Sequence, residues 1–212
     1  IPKECSIEWN EGCWETGRKQ EFFKRAKEII IEEGHPQFFY EDEVLFCKNK
    51  KELFLYPAEK KDEEYSVPEK AVVLDVDAFL GNKYLRKLNI HKKVRRIEPC
   101  GFDSRIKVEV DADNRFYKSI EGSLYSKNGK KVHHLCANED GDIKVAEGAV
   151  TIDEIFLDEA VNALYLPKSI KAKNGASFIE NNRNMINKAL VPEELKRYLK
   201  FLNIFLSSGL VV

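Results

Sequence analysis

His133, His134 and Cys136 bring together the side chains that ligate soft metals or form nucleophile–base pairs. His134 and Cys136 stand two apart, so on a strand they share a face and could seed a metal site. The remaining cysteines, Cys5, Cys13, Cys47 and Cys100, match no zinc ribbon or CxxC pair. A cysteine nucleophile needs a histidine within hydrogen-bond reach and donors for the oxyanion. Cys100 and Cys136 could be paired with His91 or His133, but no third partner is legible, and Cys100, before Gly101-Phe102, falls at a small inward position. Two loops hold calcium-type oxygen donors: Asp111, Asp113 and Asn114, then Asn138, Asp140 and Asp142. Neither has the distal Glu of an EF-hand, and Asx turns account for both. No Walker loop, dinucleotide fingerprint or HExxH helix occurs. The expectation is a chain with no catalytic residues, no metal and no cofactor.

Bulk properties narrow the partners. The 212 residues carry 35 Lys plus Arg against 36 Asp plus Glu, a net charge of -1. Nucleic-acid binders carry a basic excess that displaces counterions, so no nucleic-acid partner is expected. No apolar run approaches the roughly 20 residues that cross a bilayer, so no membrane insertion is expected. The longest, Tyr198 to Leu206, is broken by Lys200 and Asn203. An odd, scattered set of five cysteines reads as reduced, buried thiols, which points to a cytoplasmic compartment.

The elements that position these residues are repeats. Leu45-Phe46-Cys47-Lys48-Asn49 recurs downstream as Leu124-Tyr125-Ser126-Lys127-Asn128. Val67-Pro68-Glu69 and Val72-Val73-Leu74-Asp75 recur, in the same order and at nearly the same offset, as Val145-Ala146-Glu147 and Val150-Thr151-Ile152-Asp153. Residues 38–104 and 117–178 are therefore two copies of one unit. A shorter period lies inside the first: Val67, Leu74 and Phe79 are followed, at one constant spacing, by Ile90, Ile97 and Phe102. That spacing falls in the leucine-rich-repeat range of roughly 20–29, in which each turn is a short strand plus a return segment. The alternating strands are Leu88-Asn89-Ile90, Ile106 to Val110 and Leu164-Tyr165-Leu166. Phe79, Phe102 and Phe178 are expected at the return corner. Asn128-Gly129 predicts a tight two-residue hairpin turn, and Asn49-Lys50 a less ideal one. Charge runs such as Lys60-Lys61 before Asp62-Glu63-Glu64 are expected in solvated loops.

Both ends read as helices. Phe22, Phe23, Ala26, Ile29 and Ile30 recur at helical spacing, Thr16 can cap the start, and Gly34 suits a C-terminus. Trp9 and Trp14 are expected to pack this helix down. Near the other end, Pro192, Glu193 and Glu194 open a stripe of Leu195, Tyr198, Leu199, Leu202 and Phe205. The organisation is a helical cap over 1–36, a duplicated repeat domain over 37–178, and a second cap over 179–212. The fold class is α+β, a mostly β solenoid with interpolated hairpins and flanking helices.

The run from Ile106 to Lys130, with Tyr117-Lys118-Ser119-Ile120-Glu121-Gly122-Ser123-Leu124-Tyr125-Ser126-Lys127-Asn128-Gly129-Lys130 at its centre, strongly resembles the BspA-like leucine-rich repeats of bacteria. Residues 143–170 continue the likeness and 40–104 repeat it more loosely, about two thirds of the chain. The resemblance implies a right-handed solenoid with one strand per turn. It also implies a non-enzymatic role in binding a protein, from a host or from the bacterium itself, at the cell surface or after secretion. The small number of turns and the free-looking cysteines depart from that pattern. The alternative is a structural spacer or accessory domain.

On a solenoid, outward strand positions lie side by side and form a continuous surface. They are Arg86, Lys87, Asn89, Lys107, Glu109 and Tyr165, the candidate binding residues.

Overall fold

The computed structural model describes residues 30–48, 51–79, 81–97, 103–157 and 159–201. The helix expected before residue 30, with Trp9 and Trp14, therefore lies outside the described residues, as do Cys5, Cys13, Cys100, Phe102 and the stretch after Phe201. Residues 30–36 are not helical. Gly34 is left-handed, with φ 78°, in a turn that leads into the first strand.

The chain runs through β1 (Phe38–Glu41), β2 (Val44–Cys47), β3 (Glu52–Leu55), β4 (Glu64–Ser66) and β5 (Val73–Leu74). After a short 3-10 turn, Val76–Phe79, come β6 (Lys87–Ile90), β7 (Arg96–Ile97) and β8 (Lys107–Val110). The second copy holds β9 (Tyr117–Ile120), β10 (Ser123–Ser126), β11 (Lys131–His134), β12 (Ile143–Lys144), β13 (Thr151–Ile152) and β14 (Leu164–Tyr165). Helix α1 (Ala172–Asn181), β15 (Ala189–Leu190) and helix α2 (Glu193–Phe201) follow.

These strands wind into a solenoid of about six turns. On one side, β3, β5 and β7 stack in parallel, and β11 and β13 repeat that stack in the second copy. On the other, β4, β6 and β8 stack in parallel, then β12, β14 and β15. Each turn thus contributes two short strands, one to each side, where one was expected. The return segment pairs with its neighbours as readily as the main strand, because its backbone groups need partners once the turns are stacked. Inward side chains such as Leu53, Leu74, Leu88, Val108, Val132 and Leu164 are fully buried and fill the interior.

The two hairpins pair in the same pattern. Phe38 pairs with Cys47 and Glu41 with Val44; at the corresponding positions of the second copy, Tyr117 pairs with Ser126 and Ile120 with Ser123. Leu45↔Leu55 and Phe46↔Leu53 enclose a bulge, and so do Leu124↔His134 and Tyr125↔Val132. The tight turns lie elsewhere than expected. Asp42-Glu43 and Glu121-Gly122 are the two-residue turns, with positive φ at both positions of each. Asn128-Gly129 instead sits in a longer loop, where only Gly129 is left-handed and Asn128 Oδ1 accepts from the Lys130 amide. Asn49-Lys50 lies outside the described residues.

Buried asparagines join successive turns. Asn82 donates to the carbonyls of Pro57 and Lys60 and accepts from the amides of Tyr84 and Leu85. Asn114 does the same between the His91 and Val94 carbonyls and the Phe116 and Tyr117 amides. One amide side chain offers two donors and a two-lone-pair acceptor, which suits a corner where four backbone groups converge.

At the far end α1 takes the place of a strand. It starts at Ala172, inside the stretch read as the second copy, and places Phe178 on a helix rather than at a strand corner. Its Asn174 side chain accepts from the Ile152 amide at 2.6 Å and donates to the Ile152 carbonyl at 2.9 Å. The edge strand β13 is thereby satisfied without another strand. Helix α2 begins after Pro192, with Glu193 and Glu194 in its first turn as expected, and buries Leu195 and Leu199.

Candidate binding face

Five of the six candidate residues lie on the β4–β6–β8 sheet or at its border. Register places Glu64, Lys87 and Lys107 in one row and Ser66, Asn89 and Glu109 in the next. The intervening row, Tyr65, Leu88 and Val108, points inward. Strict alternation in a pleated strand therefore separates core from solvent face.

The face is a charge lattice. Lys87 Nζ lies 3.2 Å from Glu64 Oε1 and 3.1 Å from Glu109 Oε2. Asn89 Nδ2 donates to Glu64 Oε1 at 2.7 Å and to Ser66 Oγ at 3.1 Å. Hydrogen bonds from Asn89 and Lys87 hold the Glu64 carboxyl below the usual carboxylate range. Those to Glu109 and Glu64 hold Lys87 above the ordinary lysine value. Lys107 and Glu109 are exposed on the strand next to it, and Arg86 is exposed just before β6.

Glu64 and Ser66 were missed in the sequence. Glu64 ends a charge run that reads as loop, with no alternation to mark a strand. It is the first residue of β4. Lys60, from the same run, is largely enclosed and bridges Glu43 at 3.2 Å and Asp62 at 2.9 Å.

Tyr165 stands apart from the other five. It lies on β14, between Lys144 and Leu190 in register, with Lys144 Nζ 5.6 Å from its ring centre. The Glu121-Gly122 turn lies against β8, where the Val108 amide donates to the Gly122 carbonyl at 2.8 Å. A methyl group at Gly122 would come within 3.2 Å of Lys107 and 3.1 Å of Cys136, so the turn is packed against both.

The residues with chemical potential take structural positions. His134 is buried and its Nε2 bonds the Ile106 carbonyl at 2.8 Å. Burial pushes its pKa down to about 4, so the ring is neutral. His133 points the other way, with Nδ1 2.7 Å from Asp153 Oδ2, and sets its ring edge-on to Tyr117. Burial would raise the Asp153 pKa, but His133 and Lys131 hold it below the carboxylate range. Cys136 is buried, and desolvation pushes its thiol up, away from a reactive thiolate. His134 and Cys136 are both buried and both feel the Asp103 carboxylate. Among the described residues no group of three or more His, Cys, Asp or Glu could hold a metal ion.

The acidic loops are Asx turns. Asp111 Oδ1 accepts from the Asp113 amide, and Asn138 Oδ1 from the amides of Asp140 and Asp142. A cavity of about 320 Å³ between β13 and α1 is lined by polar groups including Asp153, Glu154, Asn174, Ser177 and Glu180. None of the six candidate residues borders it. No described helix is long and apolar enough to cross a membrane.

Parallel ladders that recur turn after turn on both sides of one apolar interior decide the architecture. The fold is a leucine-rich-repeat-type solenoid. No protein-family model matches the sequence, and no curated protein matches it. Among solved structures, this solenoid is similar to a leucine-rich repeat protein from Eubacterium ventriosum, at 15% identity and a TM-score of 0.41, over 51% of this chain and 37% of that one. It is also similar to a leucine rich cell surface protein from Faecalibacterium prausnitzii, at 18% identity and a TM-score of 0.33, over 76% of this chain and 42% of that one. The pneumococcal vaccine antigen PcpA is a more distant likeness, with 10% identity, a TM-score of 0.23, and 64% and 60% covered. The chain spans between 37% and 60% of the length of these structures.

Proposed function

We propose that this solenoid is a non-enzymatic protein-binding module whose contact surface is the β4–β6–β8 face, extended across β12–β14–β15. The observation that carries this reading is the ordered lattice of Glu64, Ser66, Lys87, Asn89 and Glu109, with exposed Lys107 beside it. Side chains already fixed by their neighbours lose less freedom on binding, which favours specific recognition of a complementary charged surface.

Size demands the extension. Three strands about 4.8 Å apart, each about four residues of 3.3 Å, present only on the order of 200 Å². A standard interface takes roughly 800 Å² from each partner. Tyr165, half-buried on the next sheet, supplies the aromatic anchor such interfaces favour.

The spacer reading has its own support. Lys87 and Asn89 are satisfied within the face, so nothing there demands a partner. Affinity capture separates the two readings. The parent and a Lys107→Glu, Tyr165→Ala variant are exposed in parallel to host extracellular-matrix proteins and to bacterial lysate. A partner retained by the parent and lost by the variant supports the binding module and reports its compartment. No partner from either pool supports the spacer, and equal retention by both overturns the assignment of this face.

A further inference from the structure

Basic side chains recur along one edge of the solenoid, each placed one residue before the element it leads into. Lys51 precedes β3, Arg95 precedes β7, Lys130 precedes β11 and Lys171 precedes α1. Val72 and Val150 hold the same position before β5 and β13. Backbone hydrogen bonds stack these residues turn on turn. The Lys51 carbonyl accepts from the Val72 amide at 2.8 Å, and the Val72 carbonyl from the Arg95 amide at 2.9 Å. The pattern recurs farther along the chain. The Lys130 carbonyl accepts from the Val150 amide at 2.7 Å, and the Val150 carbonyl from the Lys171 amide at 2.9 Å. Each stack is therefore a cation, a valine and a second cation.

All four cations are exposed. Glu69 and Asp153 are held by neighbouring cations, Lys93 and Lys131. Among the described residues, none of the four is paired with a carboxylate. More positive charge surrounds them. Arg95 belongs to the run His91-Lys92-Lys93-Val94-Arg95-Arg96, in which Val94 is buried while Lys92, Lys93, Arg95 and Arg96 are exposed. Lys171 stands at the start of α1, whose first turn holds no acid. That end of a helix is itself positive. Like charges held together cost stability, and a chain with 36 acidic residues has the means to neutralise this edge. Binding an anion offsets the cost.

Spacing and surroundings select the partner. Residues on neighbouring strands lie about 4.8 Å apart, which sets the two cations of each stack about 10 Å apart. That is close to the repeat of a disaccharide in a stiff polysaccharide chain. The half-buried valine between them offers an apolar surface to a sugar ring. Short runs rich in Lys and Arg, such as Lys92 to Arg96, suit sulfated polysaccharides or nucleic acid. Nucleic acid fits less well, because the net charge is -1 and neither stack holds an aromatic side chain for bases. A flexible acidic peptide loses more freedom on binding than a stiff glycan does.

We propose that this edge is a second binding surface, separate from the β4–β6–β8 face, and that its ligand is a linear sulfated polysaccharide. Lys51 and Arg95 hold the sulfates of one disaccharide repeat, and Lys130 and Lys171 those of another. Lys92 and Arg96 add to the field that draws the chain in.

The full chain is titrated with a heparin oligosaccharide at about 0.15 M salt, and in parallel with single-stranded DNA and polyglutamate of matched charge. One edge variant carries Lys51→Glu and Arg95→Glu, the other Lys130→Glu and Lys171→Glu. The control makes the same charge change on the other side, with Lys107→Glu and Lys144→Glu. All these positions are exposed, and an unfolding midpoint checks each fold. The parent should bind the oligosaccharide, each edge variant at least about tenfold more weakly, and the control within about twofold of the parent. A parent that does not bind overturns the proposal. So does a loss in the control as large as in the edge variants, which would report net charge alone. DNA or polyglutamate bound as tightly as the oligosaccharide overturns the polysaccharide assignment. Should a charge reversal lower the midpoint, glutamine replaces glutamate at the same positions, and unchanged affinity in those variants overturns the site.

Discussion

Glu43 and Gly122 occupy the same left-handed turn position in the two copies of the unit, at φ 64° and 81°. One copy supplies the residue that tolerates this conformation, and the other does not. For a non-glycine residue the left-handed region costs about 1–2 kcal/mol, against about 0.5–1 kcal/mol of extra chain entropy for glycine. Glu43 returns little through its pair with Lys60, because its side chain is 68% exposed. Glu43→Gly should therefore raise stability by about 0.5–1 kcal/mol, read from urea unfolding midpoints at constant slope. The reverse change, Gly122→Glu, should cost about 1–3 kcal/mol, since its Cβ meets Cys136 and Lys107. A destabilised Glu43→Gly would refute the equivalence of the two turns.

His134 makes the fold acid-sensitive above the carboxylate range. Its pKa is about 4 in the fold, against about 6.5 in an unfolded chain. Below pH 6.5 the unfolded state binds a proton that the native ring refuses, so stability falls as pH drops from about 6.5 to about 4 and then levels for this group. The loss amounts to roughly 3 kcal/mol. The first copy carries Leu55 at this position, so His134→Leu is the natural control. That variant should lose its slope between about pH 6.5 and 4, at a cost of about 1 kcal/mol for the Ile106 carbonyl it abandons. Asp103 and Asp153, both held below the carboxylate range, add a separate loss only near about pH 4 and lower. A slope that survives His134→Leu would assign the acid sensitivity to another group.

Asn114 joins two turns through four hydrogen bonds at a fully buried site. Asn114→Ala leaves those backbone groups unsatisfied and should destabilise by about 2–4 kcal/mol, measured by thermal or urea unfolding. Asn114→Asp should also destabilise, because it keeps the acceptor but replaces the two donors with an oxygen. A near-neutral Asn114→Ala would mean that water replaces the amide and that the corner is looser than its geometry.

The likeness of the two hairpins was legible because Leu45-Phe46 recurs as Leu124-Tyr125, and each pair stands on either side of a bulge. The return strands were not, because two or three residues such as Val73-Leu74 or Glu64-Tyr65-Ser66 are too short for periodicity to register. Their pairing is dictated by the neighbouring turns. The tight turns escaped for a different reason. Asp42-Glu43 carries no turn signature, while Asn128-Gly129 carries a strong one and sits in a longer loop. Of the candidate face, Lys87, Asn89, Lys107 and Glu109 were visible through alternation. Glu64 was hidden in a charge run, and the separation of Tyr165 follows from β14 pairing with β12 and β15 and not with β8.

The binding claim is tested most directly by the affinity of a partner captured on the parent for two charge-reversal variants, with the fold of each checked by its unfolding midpoint. Glu109→Lys disrupts the Lys87 lattice on the proposed face, whereas Arg96→Glu lies on the opposite β3–β5–β7 sheet. Both positions are exposed, and the changes should alter stability by no more than about 0.5 kcal/mol. Glu109→Lys should weaken binding at least about tenfold, and Arg96→Glu should leave it within about twofold of the parent. Unchanged affinity for Glu109→Lys, or a loss confined to Arg96→Glu, would contradict the assignment of the β4–β6–β8 face.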